Sequence, residues 1–460
     1  METVSVPIVK TWHIVAILSL PVIFGVLWVC SIPPGHGPDE EAHLAYIRVV
    51  REKGGLPLLS FSTEGSWSEG HQPPFFYVTA AVVSVLLGPE WGLRWFSLIL
   101  GIGSILAYYG LACKLFPGHR LTAAAMAATA GVLPMFSFLT ATVNNGAMVQ
   151  FFVAVVLYLG VSPVRWKGWQ SVAMGLLIGA AVLSKLSGLF LIPFFVVAWG
   201  RQWTEKELTF NNFIRLTGRL MVILILFTGW WFWRNWLLYG DIFGWQQQMA
   251  SATALVRRVR LTPDYLYAVT VEIWRSFWAA FGPAARSTAA PSVYILIACV
   301  VSPGIAGVVA SRWSDRTGRI AGAILGGGMI SFLGWPLAVP WFSTISHHAG
   351  GLAVKVLLSL ILAAGFYRFL SIRWYPPQVI RRETGLLALA VFFLLLGVYR
   401  YNIDFPQPQG RFLMPCVAQI VYLTQIGWMA ILGWHKRWIP LVGGLVLAIA
   451  GNCIALISYA

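Results

Sequence analysis

The sequence predicts an all-α, polytopic transmembrane helical bundle, and three observations carry the prediction. Of 460 residues, 58% are hydrophobic and only 10% charged, against about 45–50% and about 25% in soluble domains. Apolar runs close to the roughly 20 residues that cross a bilayer recur along the whole chain. Basic residues gather in alternate, mostly short connections between those runs, as they do in cytoplasmic loops. A soluble enzyme, a disordered chain and a disulfide-stapled module are excluded. A chain this apolar sits in lipid, where helices satisfy their own backbone hydrogen bonds.

About 13 helices are expected on this criterion, over 14–32, 93–113, 121–141, 146–162, 170–184, 187–200, 220–238, 291–310, 320–340, 352–370, 384–400, 411–432 and 438–458. The first run is long for a signal core and lacks a small-x-small cleavage site, so it reads as an anchor. The pair 170–184 and 187–200 is short for two spans and long for one. With the N-terminus inside, the inner segments carry 18 of the 32 Lys and Arg with five acids, and the outer segments carry 13 with 11 acids. The net charge of +16 then reflects loop bias rather than a nucleic-acid partner. Cys30, Cys113, Cys299, Cys416 and Cys453 have no paired spacing and read as small hydrophobes.

Two outer segments are long, 33–92 and 239–290. The first contains Phe75 to Leu87, too short to span. A crossing there would also invert every later loop against the charge bias. It reads as an in-plane helix on the outer face. The second contains Pro263 to Phe281, with Tyr265, Trp274 and Trp278, and reads as an amphipathic helix at the outer interface. The whole chain, 1–460, is read as one transmembrane domain without a soluble part. Helices 93–238 form a core module and 291–460 the C-terminal helices.

The densest polar cluster follows the first helix, at Pro38-Asp39-Glu40-Glu41-Ala42-His43. Prolines and glycines end that helix, and Asp39 is placed to cap a new one reaching about Arg51. Asp39 and His43 then share a face, with Tyr46 near it. A carboxylate at the membrane surface beside an aqueous cavity can act as a general base; the plain alternative is a capping box with solvated acids. Lys185 is a lone base between two apolar runs, either a phosphate ligand or a snorkelling anchor. Arg234 follows Trp230, Trp231 and Trp233 at a helix end. Arg411 opens a helix, where exposed N–H groups also bind phosphate. A cation there opposes the helix dipole, which calls for an anionic partner. His71 shapes the same cavity. His347 and His348, with Ser343, read as solvated loop residues, and Asp404 as a solvated acid or the partner of Arg400. No Gly-rich nucleotide loop or Walker motif occurs.

These motifs resemble, in order, the landmarks of the GT-C superfamily of membrane glycosyltransferases. That superfamily includes protein O-mannosyltransferases, lipid A aminoarabinose transferases and oligosaccharyltransferase catalytic subunits. The likeness is greatest to a bacterial group of uncharacterised multi-pass proteins with a Pro-Asp-Glu-x-x-His motif. Further matches are His71-Gln72-Pro73-Pro74-Phe75-Phe76-Tyr77, Asn144-Asn145-Gly146, Ser184-Lys185-Leu186-Ser187-Gly188, Arg234-Asn235 with Tyr239-Gly240-Asp241, and Gln409-Gly410-Arg411-Phe412 with Pro415. Together they cover residues 33–415.

The resemblance implies an enzyme of the bacterial inner membrane with its active site on the outer face. It would transfer a sugar, with inversion, from a polyprenyl-phosphate donor to a hydroxyl of a lipid or cell-surface glycan. Asp39 matches the catalytic base, with Glu40 in support. His43, His71, Tyr77, Asn144, Lys185, Arg234, Gln409 and Arg411 are the substrate-binding candidates. The oligosaccharyltransferases hold a divalent metal on several acids, whereas Asn144-Asn145 offers no carboxylate. No cofactor is therefore expected, and a metal is not favoured. Membrane lipids are the remaining partner. Two other functions fit parts of the sequence. A lipid-linked saccharide transporter or flippase leaves the acid cluster and in-plane helix unexplained and often shows internal repeats, which the sequence lacks. A polysaccharide ligase of similar fold would use the same base and phosphate clamp.

Overall fold

The computed structural model describes residues 10–58, 69–161, 168–251, 262–282, 286–287, 291–312, 316–330, 333, 349–370 and 372–459. Within them the chain is a helical membrane bundle, as its hydropathy predicts. Seven of the described helices are long and apolar enough to cross a membrane, or eight if one bent pair counts as a span. Shorter apolar helices fill in between them. His347, His348, Ser343 and most of the second half of the expected run 320–340 lie outside the described residues.

The first half builds the outer loop and its support. Helix α1 (Thr11–Ser31) leads into α2 (Glu40–Lys53), a short 3-10 turn (Glu69–His71) and α3 (Phe75–Leu87). The bounds of α3 are those expected, set by Pro73-Pro74 before it and Gly88 after it, whose φ of +94° no other residue adopts readily. Helix α4 (Trp91–Leu115) follows, then α5 (Arg120–Gly131) and α6 (Pro134–Thr140). These last two replace the single run expected over 121–141 and meet at 70°. Pro134 has no N–H to continue a helix and holds Leu133 extended. Helix α7 (Asn145–Gly160) and α8 (Gly168–Ser184) come next, and a 3-10 turn (Leu186–Phe190) joins α8 to α9 (Leu191–Thr204).

Helix α10 (Phe210–Tyr239) ends at Gly240 and is followed by α11 (Trp245–Ser251) and α12 (Pro263–Trp278), the latter close to the amphipathic helix expected. The remainder comprises α13 (Pro291–Arg312), α14 (Arg316–Met329), α15 (Ala349–Phe369) and α16 (Gln378–Asp404). A 3-10 turn (Gly410–Cys416) then leads to α17 (Val417–Leu432) and α18 (Trp438–Tyr459).

Small residues let these helices close up, as is common in membranes. A Cβ on Gly427 would stand 1.6 Å from the Gly304 oxygen, so α13 and α17 touch backbone to backbone. A buried amide ties the two ends of the chain together. Trp28 Nε1 donates to Asn452 Oδ1 at 2.6 Å, and Asn452 Nδ2 donates to the Val132 carbonyl at 2.8 Å and to Ser137 Oγ at 2.9 Å. Helices α1 and α18 are thereby fixed to the break between α5 and α6.

The segments that the charge bias groups together do meet at one end. Arg382 forks onto Glu207 at 2.5 and 2.6 Å, Arg201 pairs with Glu205 at 2.7 Å, and Arg312 donates to the Arg381 carbonyl at 2.8 Å. The opposite end gathers the loop after α1, the start of α4, the end of α10 and the turn before α17.

Candidate functional site

That opposite end holds a cleft built around two adjacent acids with different fates. Glu40 is 1% exposed. Its carboxylate accepts from Arg94 Nε at 3.0 Å and Nη2 at 2.8 Å, from the Gly37 amide at 3.0 Å and from the Val143 amide at 2.9 Å. Arg94 also donates to the carbonyls of Ile32 and Pro33. An ion pair this buried persists only when its remaining hydrogen-bonding capacity is met, and here backbone groups meet it. Glu40 therefore rivets the loop after α1 to α4 and to the turn before α7.

Asp39 sits one residue earlier with φ 56° and ψ 16°, in the left-handed region. For most residues with a Cβ this costs about 1–2 kcal/mol, and less for aspartate and asparagine, whose short polar side chains visit the region. The expected cap is not formed: no side-chain hydrogen bond from Asp39 caps α2. A capping side chain folds back over the first turn from an extended backbone, and the left-handed backbone throws it outward instead. There it meets Arg411, whose Nη2 donates to Asp39 Oδ2 at 2.6 Å. The Asp39 side chain is 44% exposed, against 14% for Arg411, so the pair sits in a recess open to water on the Asp39 side. Burial raises the Asp39 carboxyl's pKa, but Arg411, His43 and Lys185 outweigh it and hold the group below its ordinary value.

The cations face this carboxylate from the far half of the chain. Arg411 Nε donates to Gln409 Oε1 at 2.5 Å, which fixes the guanidinium plane. Lys185, in the break between α8 and α9, lies 5.3 Å over the Phe412 ring. Its pKa is lowered to about 8, first by burial and then by Arg411, against the pull of Glu69 and Asp39.

Behind Asp39 stands an aromatic and amide wall. His43 is buried and shares a 2.8 Å hydrogen bond, at Nδ1, with the Tyr77 hydroxyl. Burial lowers its pKa, against Glu69 and Asp39. Tyr77 stacks on Tyr46 at 3.7 Å with planes 6° apart. The side-chain amides of Gln72 and Gln248 each lie 3.0 Å from His71 Nε2. An amide nitrogen only donates, so His71 accepts there.

The structure thus brings together Asp39, His43, Lys185, Gln409 and Arg411, with His71 and Tyr77 in the wall. Two candidates serve elsewhere. Asn144 is buried as the N-cap of α7, accepting from the Ala147 amide at 3.1 Å and donating to the Leu139 carbonyl at 2.7 Å. Its neighbour Asn145 reaches the wall instead, donating to Gln72 Oε1 at 3.1 Å. Arg234 donates to the Pro57 carbonyl at 3.1 Å and lies 5.0 Å over Trp231, so it holds the outer loop. Among the described residues, no group of three or more His, Cys, Asp or Glu could hold a metal ion.

Sequence reasoning missed Arg94, Glu69 and Gln248. Arg94 carried a signal, a charge one turn into an apolar helix, where it is costly unless paired. Glu69, whose Oε2 lies 3.9 Å from His71 Nε2, and Gln248 carried none.

Several solved structures are similar. ArnT from Cupriavidus metallidurans bound to undecaprenyl phosphate aligns at 16% identity and TM-score 0.46, over 98% of this chain and 77% of that one. The Archaeoglobus fulgidus oligosaccharyltransferase tethered to an acceptor peptide containing the NVT sequon aligns at 15% and 0.42, over 98% and 55%. Archaeal oligosaccharyltransferase AglB from Archaeoglobus fulgidus, in complex with an inhibitory peptide and a dolichol-phosphate, aligns at 14% and 0.45, over 98% and 56%. The chain spans little more than half the length of these archaeal enzymes. No curated protein matches it. Residues 70–233 match the family model described as dolichyl-phosphate-mannose-protein mannosyltransferase, and this likeness agrees with the GT-C resemblance for the motifs that lie within those residues.

Proposed function

We propose that this chain is an inverting glycosyltransferase of the bacterial inner membrane, with its N-terminus in the cytoplasm and its active site on the outer face. The donor is a sugar on a polyprenyl phosphate, and the acceptor is a hydroxyl of a lipid or cell-surface glycan. One observation carries the reading: a strained carboxylate, Asp39, is aimed out of its own helix and onto Arg411 at 2.6 Å, with Lys185 beside them.

Asp39 takes the acceptor hydroxyl's proton as the oxygen bonds to the anomeric carbon. The bond from that carbon to the phosphate oxygen breaks on the opposite face. Arg411 and Lys185 take up the charge of the departing lipid phosphate, where preorganised cations in a recess count for more than in water. Donor binding also draws Arg411 toward the phosphate, which loosens its hold on Asp39 and raises that carboxylate's basicity when it is needed. Glu40 and Arg94 hold the loop in place, and His43 and Tyr77 form the floor.

The test pairs wild type with Asp39→Asn in proteoliposomes, each incubated with a panel of radiolabelled polyprenyl-phosphate sugars. Wild type consumes one donor and releases polyprenyl phosphate, while the variant binds that donor without consuming it. Equal turnover by the two would remove Asp39 as the base. Label that crosses the bilayer with no donor consumed would replace the enzyme reading with transport.

A further inference from the structure

The same end of the bundle holds a second recess that the proposed reaction does not use. It is an open depression between the end of α10, α11 and the end of α16, with a volume of about 520 Å³. Its lining includes Trp236, Asp241, Trp245, Gln246, Arg400 and Asp404. Trp236 is 52% exposed and has no aromatic partner among the described residues. Trp245 is fixed edge-on against Tyr401 and Phe405, with ring centroids at 5.7 and 5.0 Å.

The polar groups are held as firmly. Asp404 Oδ2 accepts from Trp245 Nε1 at 3.0 Å and from Arg400 Nη1 at 2.7 Å. Its other oxygen carries no hydrogen bond among the described residues. Asp241 accepts from the backbone amides of Phe243 and Gln246, both at 3.0 Å, which sets the start of α11 and presents the Gln246 side chain.

We infer that this recess is a saccharide-binding site for the non-reacting part of a glycan acceptor. The inference rests on the transferase reading and deepens it by naming the acceptor class. An exposed indole offers a flat face for the C–H side of a sugar ring. Arg400, Asp404 and Gln246 offer planar donors and acceptors, the geometry that pairs with neighbouring hydroxyls. The lining holds two carboxylates and one guanidinium, a formal charge of −1 in a chain of +16. That sign favours a neutral polyol over a lipid phosphate. The recess also adjoins the cleft. Tyr401 packs between Trp245 and Phe412, the residue after Arg411, and Gln248 of the same short helix reaches His71.

The test is saturation-transfer NMR on the full chain in phosphatidylcholine nanodiscs, free of glycoside detergent, with mannotriose, maltotriose and cellotriose as probes. At least one trisaccharide gains saturation on its ring protons. Trp236→Ala weakens that binding by about tenfold, and Gln246→Ala weakens it as well. No saturation on any probe, or equal binding by Trp236→Ala in correctly folded protein, overturns the inference. So does binding of glycerol 3-phosphate in place of the sugars. The measurement needs no donor and no turnover, so failure of the transferase reading would show separately, as wild type that binds sugar yet consumes no lipid-linked donor.

Discussion

Asp39 and Arg411 stand 372 residues apart in the chain and 2.6 Å apart in space. Asp39 occupies a left-handed backbone that residues with a Cβ adopt at a cost. Arg411 sits in the 3-10 turn Gly410–Cys416, six residues ahead of α17, and not at the start of an α-helix as its apolar run predicts. The left-handed backbone aims the Asp39 side chain at that turn.

Substitutions at Asp39 should separate strain from chemistry. Asp39→Asn, Asp39→Gly and Asp39→Ala all lower kcat by about 10²- to 10⁴-fold, the range of general-base catalysis. Their stabilities differ. Glycine and asparagine tolerate a φ of +56° and alanine does not, so Asp39→Ala should be about 1 kcal/mol less stable than the other two. Thermal unfolding in nanodiscs measures this.

Glu40 should behave in the opposite way. Glu40→Gln or Arg94→Met leaves a buried charge without its partner, a loss of about 3–5 kcal/mol. Each should lower the yield of monodisperse protein by size-exclusion chromatography. The double variant recovers part of that yield, because the lone charge is gone, while the glutamine keeps one acceptor oxygen where the carboxylate offered one each to the amides of Gly37 and Val143.

Arg411 sets the acid limb of the pH profile. Its charge helps hold the Asp39 carboxyl below its ordinary pKa, so the base stays ionised as pH falls. Removing it with Arg411→Gln leaves burial as the dominant influence, which raises the pKa. The acid limb of kcat/KM should move to higher pH, and the KM for the lipid donor should rise. A pH series on both proteins checks the shift.

Lys185 sets the alkaline limb. With a pKa near 8, its ammonium is charged below that pH and neutral above it. Donor KM should rise as pH climbs through about 8. Lys185→Arg, which stays charged, should flatten that rise.

Chelation should leave turnover unchanged. Glu40 is saturated by Arg94 and backbone amides, and Asp39 is paired with Arg411. Transfer assayed with and without excess EDTA measures this directly.

Much of the bundle was legible because hydropathy and Pro/Gly punctuation act locally. Helix α3 appears with the bounds its apolar run dictates, and α12 close to where its aromatic pattern falls. The break at Pro134 was equally local and yet overlooked, since the run 121–141 stays apolar through it. The cleft was legible as a set of residue types, not as a set of roles. Asp39 looks like a cap in sequence, whereas in the fold its left-handed backbone, next to the buried Glu40–Arg94 pair, turns the side chain away from α2 and onto Arg411. Asn144 and Asn145 are indistinguishable in sequence; one caps α7 and the other faces Gln72 because helix geometry points consecutive side chains apart.

The knot of Trp28, Asn452, Val132 and Ser137 has a consequence for how the protein is made. Helices leave the ribosome in order, so Glu40 can find Arg94 while most of the chain is still unwritten. Asp39 must wait for Arg411, and the seam that seats α1 against its neighbours closes only when Asn452 arrives. The cleft is therefore assembled in two instalments, a docking loop held by Glu40 and Arg94 early, and the Asp39–Arg411 pair only after α16 has been made.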